Sequence, residues 1–307
     1  MTRIDRRKLL TTGAFAAAFA GAGMPVGARP KRGGLLRAGV SGGTATDWDA
    51  RRPWGLAMAV CGAGAVFDTL TEVAPDGSLR GELATRWEAL DGATRWALEL
   101  RRDAMFHNGK PLEATDVIAS LALHGPGTAG WAVMRRVASM QPRGRHALDV
   151  TLHAPDADFP YLLSDYHLVI YPGDDITGAM AQGIGTGLYR TERLAEGRLE
   201  ARRVRDHDRG ETAGWFDEIE IRALDGHAAQ QALANRQVDV IDGEAEARAV
   251  SSRIVTGQPY PGVPEQVSLP PFADYVVSAH ERLALPRVMG NLWPLDNARL
   301  AERWWMA

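Results

Sequence analysis

Three short motifs in this 307-residue chain carry residue types that could do chemistry. Gly39-Val-Ser41-Gly-Gly43 has the G-x-S-x-G spacing of a nucleophile elbow, in which a strained strand-to-helix turn presents a serine hydroxyl. A hydrolase sheet places strands before the elbow and takes an oxyanion donor from one of their loops. Ser41 instead follows the first strand after the leader, so the spacing predicts a turn rather than a nucleophile. Gly183-Ile-Gly-Thr-Gly187 could cradle a phosphate, but dinucleotide binding needs a helix next and an acid about twenty residues on. A strand hairpin follows, and the glycines predict a tight bend. Asp206-His207-Asp208 offers carboxylates and an imidazole, which are ordinary metal ligands. Three consecutive residues of extended chain cannot all face one ion, so this run reads as a solvated turn. No H-E-x-x-H spacing occurs among the eight histidines. The motifs imply no enzyme, no metal and no cofactor.

Apolar residues make up 45% of the chain and charged residues 24%. That balance fits a globular protein and excludes disordered and collagen-like classes. A net charge of −3 with no basic stripe argues against nucleic acid as a partner. Cys61 is the only cysteine, which excludes an intrachain disulfide and a four-cysteine zinc site. Residues 1–28 read as an export signal: Arg6-Arg7-Lys8 is a basic start, Thr11 to Gly23 a small apolar run, and Val26-Gly27-Ala28 a cleavage site. The arginine pair predicts twin-arginine export to the periplasm. No later apolar run reaches 18 residues, so the chain is not expected to span a membrane.

The elements that must position any site follow from periodicity. Strands are expected at 36–41, around Trp87 and Trp96 with a hairpin at Asp91-Gly92, at 146–153, 168–171, 189–194, 199–204, 216–223, 238–241 and near Tyr275. Helices are expected at 56–70, burying Cys61 and Phe67, then at 113–124, 159–163 and 228–234. Residues 251–266 are rich in Ser, Gly and Pro and read as a linker.

Several runs gain meaning together. They are Phe67-Asp-Thr-Leu-Thr71 with Gly77 and Glu82-Leu-Ala-Thr-Arg-Trp87; Phe106-His-Asn-Gly-Lys-Pro-Leu-Glu-Ala-Thr-Asp-Val117 with Ser120; and Leu163 to Pro172. Gly185-Thr-Gly-Leu-Tyr189, Trp215 to Ile221, Val238 to Asp242, Pro271 to Val277 and Glu302 to Ala307 complete the set. Jointly they resemble the periplasmic solute-binding proteins of peptide-type ABC transporters, the family of dipeptide-, oligopeptide- and nickel-binding proteins. The resemblance covers about residues 35–250 and 268–307. Two departures stand out. Leu188 occupies a position where the family usually has Pro. The family also inserts a whole second lobe between the strand ending at Asp242 and the strand near Pro271, where this chain has a short Pro/Gly-rich stretch.

The resemblance implies an α/β protein: a periplasmic-binding-protein-like lobe with a mixed sheet and an inserted subdomain, the second lobe being largely absent. Residues 29–62, 183–250 and 268–307 would form the lobe core, 63–182 the inserted subdomain, and 251–267 a linker in place of the second lobe. The strand near Tyr275 must return to the sheet of Val238, which would otherwise expose an edge. Trp304 and Trp305 should pack on the lobe. The implied function is a solute-binding component that takes a peptide or other small-molecule ligand to an ABC permease, with ligand capture weakened by the missing lobe. The alternative is a periplasmic interaction protein, or a degenerate non-transport remnant, that docks a permease or another partner through an exposed apolar patch. Candidate ligand-binding residues are Asp47, Trp48, Asp165, Tyr166 and His167, with Gly185, Thr186 and Gly187 letting backbone amides approach a ligand.

Overall fold

The computed structural model describes residues 33–40, 48–52, 62, 65–73, 78–195, 197–207, 214, 216–242, 250–255 and 276–280. Residues 1–28, read above as an export signal, and Ser41, Asp47, Cys61, Asp208, residues 256–267, Trp304 and Trp305 lie outside them. In chain order the described strands are β1 (Leu35–Val40), β2 (Thr71–Val73), β3 (Leu79–Gly81), β4 (Ala84–Leu90), β5 (Arg95–Leu100), β6 (Val137–Pro142) and β7 (Ala147–Leu152). They continue as β8 (Tyr189–Ala195), β9 (Arg198–Arg203), β10 (Glu218–Ala223), β11 (Val240–Asp242), β12 (Val250–Val255) and β13 (Val276–His280). The described helices are α1 (Ala114–Leu121), α2 (Trp131–Met134), α3 (Phe159–Leu162), α4 (Ile176–Gln182) and α5 (Gly226–Ala234).

Seven strands form one mixed sheet in the order β12-β13-β11-β1-β10-β9-β8. β1 runs parallel to both β10 and β11, and the other pairings are antiparallel. β1 buries Leu36, Ala38 and Val40, the alternate residues of one face, and buries Gly39 too. Gly39 has no room for a side chain, since a Cβ there would stand 2.9 Å from Leu224. The crossover from β10 to β11 runs through α5, whose first turn is capped by Asp225 accepting the Ala228 amide at 2.7 Å. α5 packs Ala229, Ala232 and Leu233 on Val238 and Ile241. β13 sits between β11 and β12, so the strand near Tyr275 joins the sheet of β11. Residues 251–255, expected as the start of a linker, belong to strand β12. Val250, Ile254 and Val255 favour extended chain, and only the Ser, Gly and Pro around them read as loop.

A second sheet, antiparallel and in the order β4-β5-β7-β6, is made entirely from residues 84–152. Its inner face puts Trp96, Leu98, Leu100, Leu148, Val150 and Leu152 into an apolar cluster with Phe106, Leu112, Val117 and Leu121. α1 begins in a capping box: the Glu113 side chain takes the Asp116 amide, and Asp116 Oδ2 accepts from the Glu113 amide at 2.9 Å. Asp116 is 1% exposed and also holds Lys110 Nζ at 2.5 Å and the Gly173 amide at 2.7 Å. The run from Phe106 to Ser120 is therefore a scaffold. Phe106 fills the core, Gly109 turns the chain at φ +85°, Asp116 ties three backbone segments together, and Ser120 accepts the Tyr171 amide at 2.9 Å.

Two elements differ from the sequence expectation. Residues 65–70 are not helical, because their backbone carbonyls bond elsewhere: Val66 O accepts the Gly187 amide at 2.9 Å and Ala65 O the Tyr189 amide at 2.8 Å. Residues 168–171 are fully buried as expected, yet they join no ladder. β6 and α4 were not anticipated. β6 buries little of its length, and α4 is announced mainly by Asp175, whose side chain accepts the Gly178 amide at 2.9 Å.

Candidate functional site

The run Gly183 to Tyr189 leaves α4 through Gly183 in the left-handed region at φ +68°. It then passes against residues 65–67 so closely that side chains are excluded. A Cβ on Gly185 would stand 2.0 Å from Val66 O, and one on Gly187 would stand 2.3 Å from Ala65 O. Gly185 and Gly187 thus serve a close approach of two backbones rather than of a ligand. Thr186 lies between them, 3% exposed, and its hydroxyl donates to Asp68 Oδ2 at 2.8 Å. Asp68 is 2% exposed. From below, His107 Nε2 donates to Gly187 O at 2.7 Å, and His207 Nε2 donates to Thr186 O at 3.0 Å.

Thr186, Asp68 and His207 line a cavity of about 90 Å³. Asp68, Glu72, Glu82, Asp103 and Asp206 bring five carboxylates to its wall, against Arg101 and His207. Leu83, Ala104, Met105 and Val204 supply the apolar remainder. Glu82 is buried and fixed, with Oε2 accepting from both the amide and the hydroxyl of Thr69 at 2.8 Å. Such a wall favours a small solute carrying positive charge alongside a short apolar part. Among the described residues no group of three His, Cys, Asp or Glu is arranged to hold a metal ion. His207 of the Asp206-His207-Asp208 run turns its ring to the Thr186 carbonyl instead.

Of the expected ligand residues, only Thr186 reaches this cavity. Asp47 lies outside the described residues. Trp48 is core: it is 2% exposed and packs edge-on against Phe67 at 5.6 Å, and its carbonyl accepts from the Tyr171 hydroxyl at 2.7 Å. Asp165 caps its own turn, with Oδ1 taking the His167 amide at 3.0 Å and the His167 ring Nδ1 at 2.5 Å. Tyr166 lies over the His167 ring at 3.8 Å, and burial, aided by Asp165, pushes its phenol up to about 12. The neighbouring His124 is 3% exposed, with no side-chain hydrogen-bond partner at either ring nitrogen among the described residues. Burial drives its pKa down to about 4, the nearby His167 adding to the fall and Asp165 and Asp49 opposing it. Asp68, Glu72, Glu82, Arg101 and Asp103 were not anticipated. Asp68 and Glu82 do fall within two of the runs that carry the resemblance, which was the signal available for them.

The chain matches the model of the bacterial extracellular solute-binding proteins, family 5 Middle, over residues 78–263. Among solved structures it is similar to the oligopeptide-binding protein OppA of Haemophilus influenzae in complex with RPPGFSPFR. That likeness has a TM-score of 0.63 at 16% identity and covers 74% of this chain and 51% of that one. It is also similar to DppA of Helicobacter pylori in complex with peptide STSA, with a TM-score of 0.58 at 18% identity, covering 70% of this chain and 47% of that one. The periplasmic binding protein AgaA of A. tumefaciens R10, in complex with agropinic acid, aligns with a TM-score of 0.58 at 23% identity over 68% of this chain and 44% of that one. A curated relative, the HTH-type transcriptional regulator SgrR of Yersinia pestis (strain Pestoides F), is 33% identical over 127 residues, 40% of this chain and 22% of the regulator. The chain thus spans about half the length of these structures and under a quarter of that relative. The mixed sheet, the inserted antiparallel sheet and the matched stretch 78–263 agree, and this chain belongs to the family 5 bacterial extracellular solute-binding proteins.

Proposed function

We propose that this chain is a solute-binding lobe of a peptide-type ABC uptake system, exported to the periplasm, and that its solute sits against Thr186 in the carboxylate-rich cavity. The cavity wall is the observation that supports this reading. Five carboxylates face one arginine and one histidine around a volume suited to a small group, beside a loop clamped from two sides. The free amino end of a short peptide, or another small amine, has the matching charge and shape. No covalent chemistry is required of the lobe, and permease docking completes the cycle. Family 5 members close a second lobe over ligand, and a single lobe forfeits that half of the contact. A loss of a few kcal/mol takes a micromolar ligand toward millimolar, at about 1.4 kcal/mol per tenfold.

Titration calorimetry of the exported chain with alanylalanine and with N-acetyl-alanylalanine tests this. We expect weak binding, near millimolar, of the free amine and none of the acetylated form. Equal binding of both refutes amine recognition, and submicromolar binding by a monomer refutes weakened capture.

The identity with SgrR regulators favours a second reading, in which the same lobe senses a solute for a partner protein instead of delivering it. The two differ in their outcome at the membrane: a delivery component raises solute uptake by vesicles carrying its permease, whereas a sensor does not. The docking alternative has less support. Among the described residues the large exposed hydrophobics are Leu35, Met105 and Trp131, and Met105 belongs to the cavity wall.

A further inference from the structure

We propose that His107 is a positioning residue, held in one neutral tautomer, that sets the shape of the 185–187 loop and so the direction of Thr186 toward the cavity. This rests on the reading of that cavity as the solute site. The ring spans the loop at both ends. Nε2 lies 2.7 Å from Gly187 O, and an acceptor there requires a proton on Nε2. Nδ1 lies 3.4 Å from the Gly185 amide, and a donor there requires a bare Nδ1. Only the neutral Nε2–H form satisfies both. The His107 amide adds a third tie by donating to Gly185 O at 2.8 Å. Gly185 and Gly187 are pressed onto Val66 O and Ala65 O, so the loop has no slack on its other side. Thr186 is thereby fixed with its hydroxyl on Asp68 and its carbonyl on the ring of His207.

A protonated ring would face the Gly185 N–H with a second N–H, and the clamp would fail at that end. Burial keeps the ring neutral down to about pH 4, with His207 and Arg190, the charged or titratable groups facing it, pushing the same way and the backbone groups of Gly187 and Gly183 opposing. Solute binding should therefore weaken steeply in acid.

Long-range proton–nitrogen correlation spectra of histidine-labelled protein read the tautomer directly. At pH 7 we expect His107 as Nε2–H, with a Gly185 amide shift that titrates near pH 4. In H107Q the longer side chain still reaches Gly187 O but leaves the Gly185 amide bare. We expect it to keep the Gly187 carbonyl carbon shift and to lose Gly185 amide protection. H107A should move the Gly187 carbonyl shift, lose Gly185 amide protection by tenfold or more and weaken alanylalanine binding at least tenfold, with H107Q within about threefold of the parent. An Nδ1–H or charged ring at pH 7, or unchanged loop amides in H107A, overturns the proposal. If the parent chain binds no alanylalanine, the cavity reading fails alone, because the tautomer and amide results still judge the clamp.

Discussion

Lowering the pH from 7 to 5 should destabilise this protein through His124 and His107, and one substitution separates their shares. Both rings are held neutral by burial with pKa values near 4, against about 6.5 in an unfolded chain. Folding lowers these pKa values, so their stabilising share is complete above about pH 6.5 and is lost as pH falls toward 4. At about 1.4 kcal/mol per pKa unit the full loss is about 3 kcal/mol for each ring. Between pH 7 and pH 5 the same linkage gives about 2 kcal/mol each, and about 4 kcal/mol together. That is a large part of an ordinary domain's stability of about 5–15 kcal/mol. His124 is the cleaner target, because His107 bonds the Gly187 carbonyl and the Gly185 amide, whereas the His124 ring makes no such bonds to the glycine loop. Gly130 lies so close to the ring that a Cβ there would stand 2.7 Å from it, so His124→Leu, of similar or smaller volume, should fit where Phe would not. We expect H124L to match the parent at pH 7 and, on going to pH 5, to lose about 2 kcal/mol less than the parent does. Urea unfolding followed by tryptophan fluorescence at the two pH values measures both. Carboxylate titrations are common to the two proteins and cancel in the comparison. If H124L loses as much as the parent, His124 is not taking up a proton on unfolding and the reasoning is wrong.

Gly187→Ala should cost about 2–3 kcal/mol in thermal or urea unfolding, because the new methyl meets the Ala65 carbonyl at 2.3 Å and both partners are backbone. Thr186→Val keeps the shape but leaves the buried Asp68 carboxylate one donor short, a cost of about 1–3 kcal/mol with weaker solute binding. Ser41→Ala should leave p-nitrophenyl acetate hydrolysis by the purified protein at the blank rate, unchanged from the parent; a serine-dependent rate would restore the elbow reading. Replacing Arg6 and Arg7 by Lys should block export if the twin-arginine route carries the chain, and fractionation showing the usual periplasmic yield would rule that route out.

Periodicity located the strands whose two faces differ. β7 alternates buried and half-buried positions, β5 alternates buried with half-buried or exposed positions apart from buried Ala97, and both were legible. β6 was not, because none of its residues is fully buried and it stands at the sheet edge, where pairing rather than burial defines it. Small apolar residues before Phe67 read as a helix, since composition cannot show that residues 65 and 66 offer their carbonyls to a distant glycine loop. Composition is equally blind to how the glycine loop is used. Glycines near a threonine were read as room for a ligand, when that room is filled by the chain's own backbone and only Thr186 looks outward. Asp165 and His167 have the types of a ligand pair, but two residues apart they satisfied each other.

The position of the cavity follows from how two apolar cores share a wall. Along Leu168 to Tyr171 the side chains alternate between them: Leu168 and Ile170 enter the core of the inserted sheet, while Val169 and Tyr171 enter the core of the main sheet. A continuous apolar run is what a segment buried on both faces requires, which explains why it read as a strand while joining no ladder. The second segment of the wall does the same, with Val66 and Phe67 on one side and Leu70 on the other. The two segments are joined where the Ile170 amide donates to the Asp68 carbonyl at 3.0 Å. Asp68 thus stands at the seam with its backbone committed to the wall and its carboxylate committed to Thr186. A buried carboxylate survives at such a place because donors reach it from the glycine loop, and the loop can come that close only without side chains at positions 185 and 187. The features that make the cavity polar are therefore the same ones that let two cores meet without a gap. Substitution at Asp68 should disturb packing and solute binding together, whereas substitution at Asp103 or Asp206, on the outer wall, should alter binding alone.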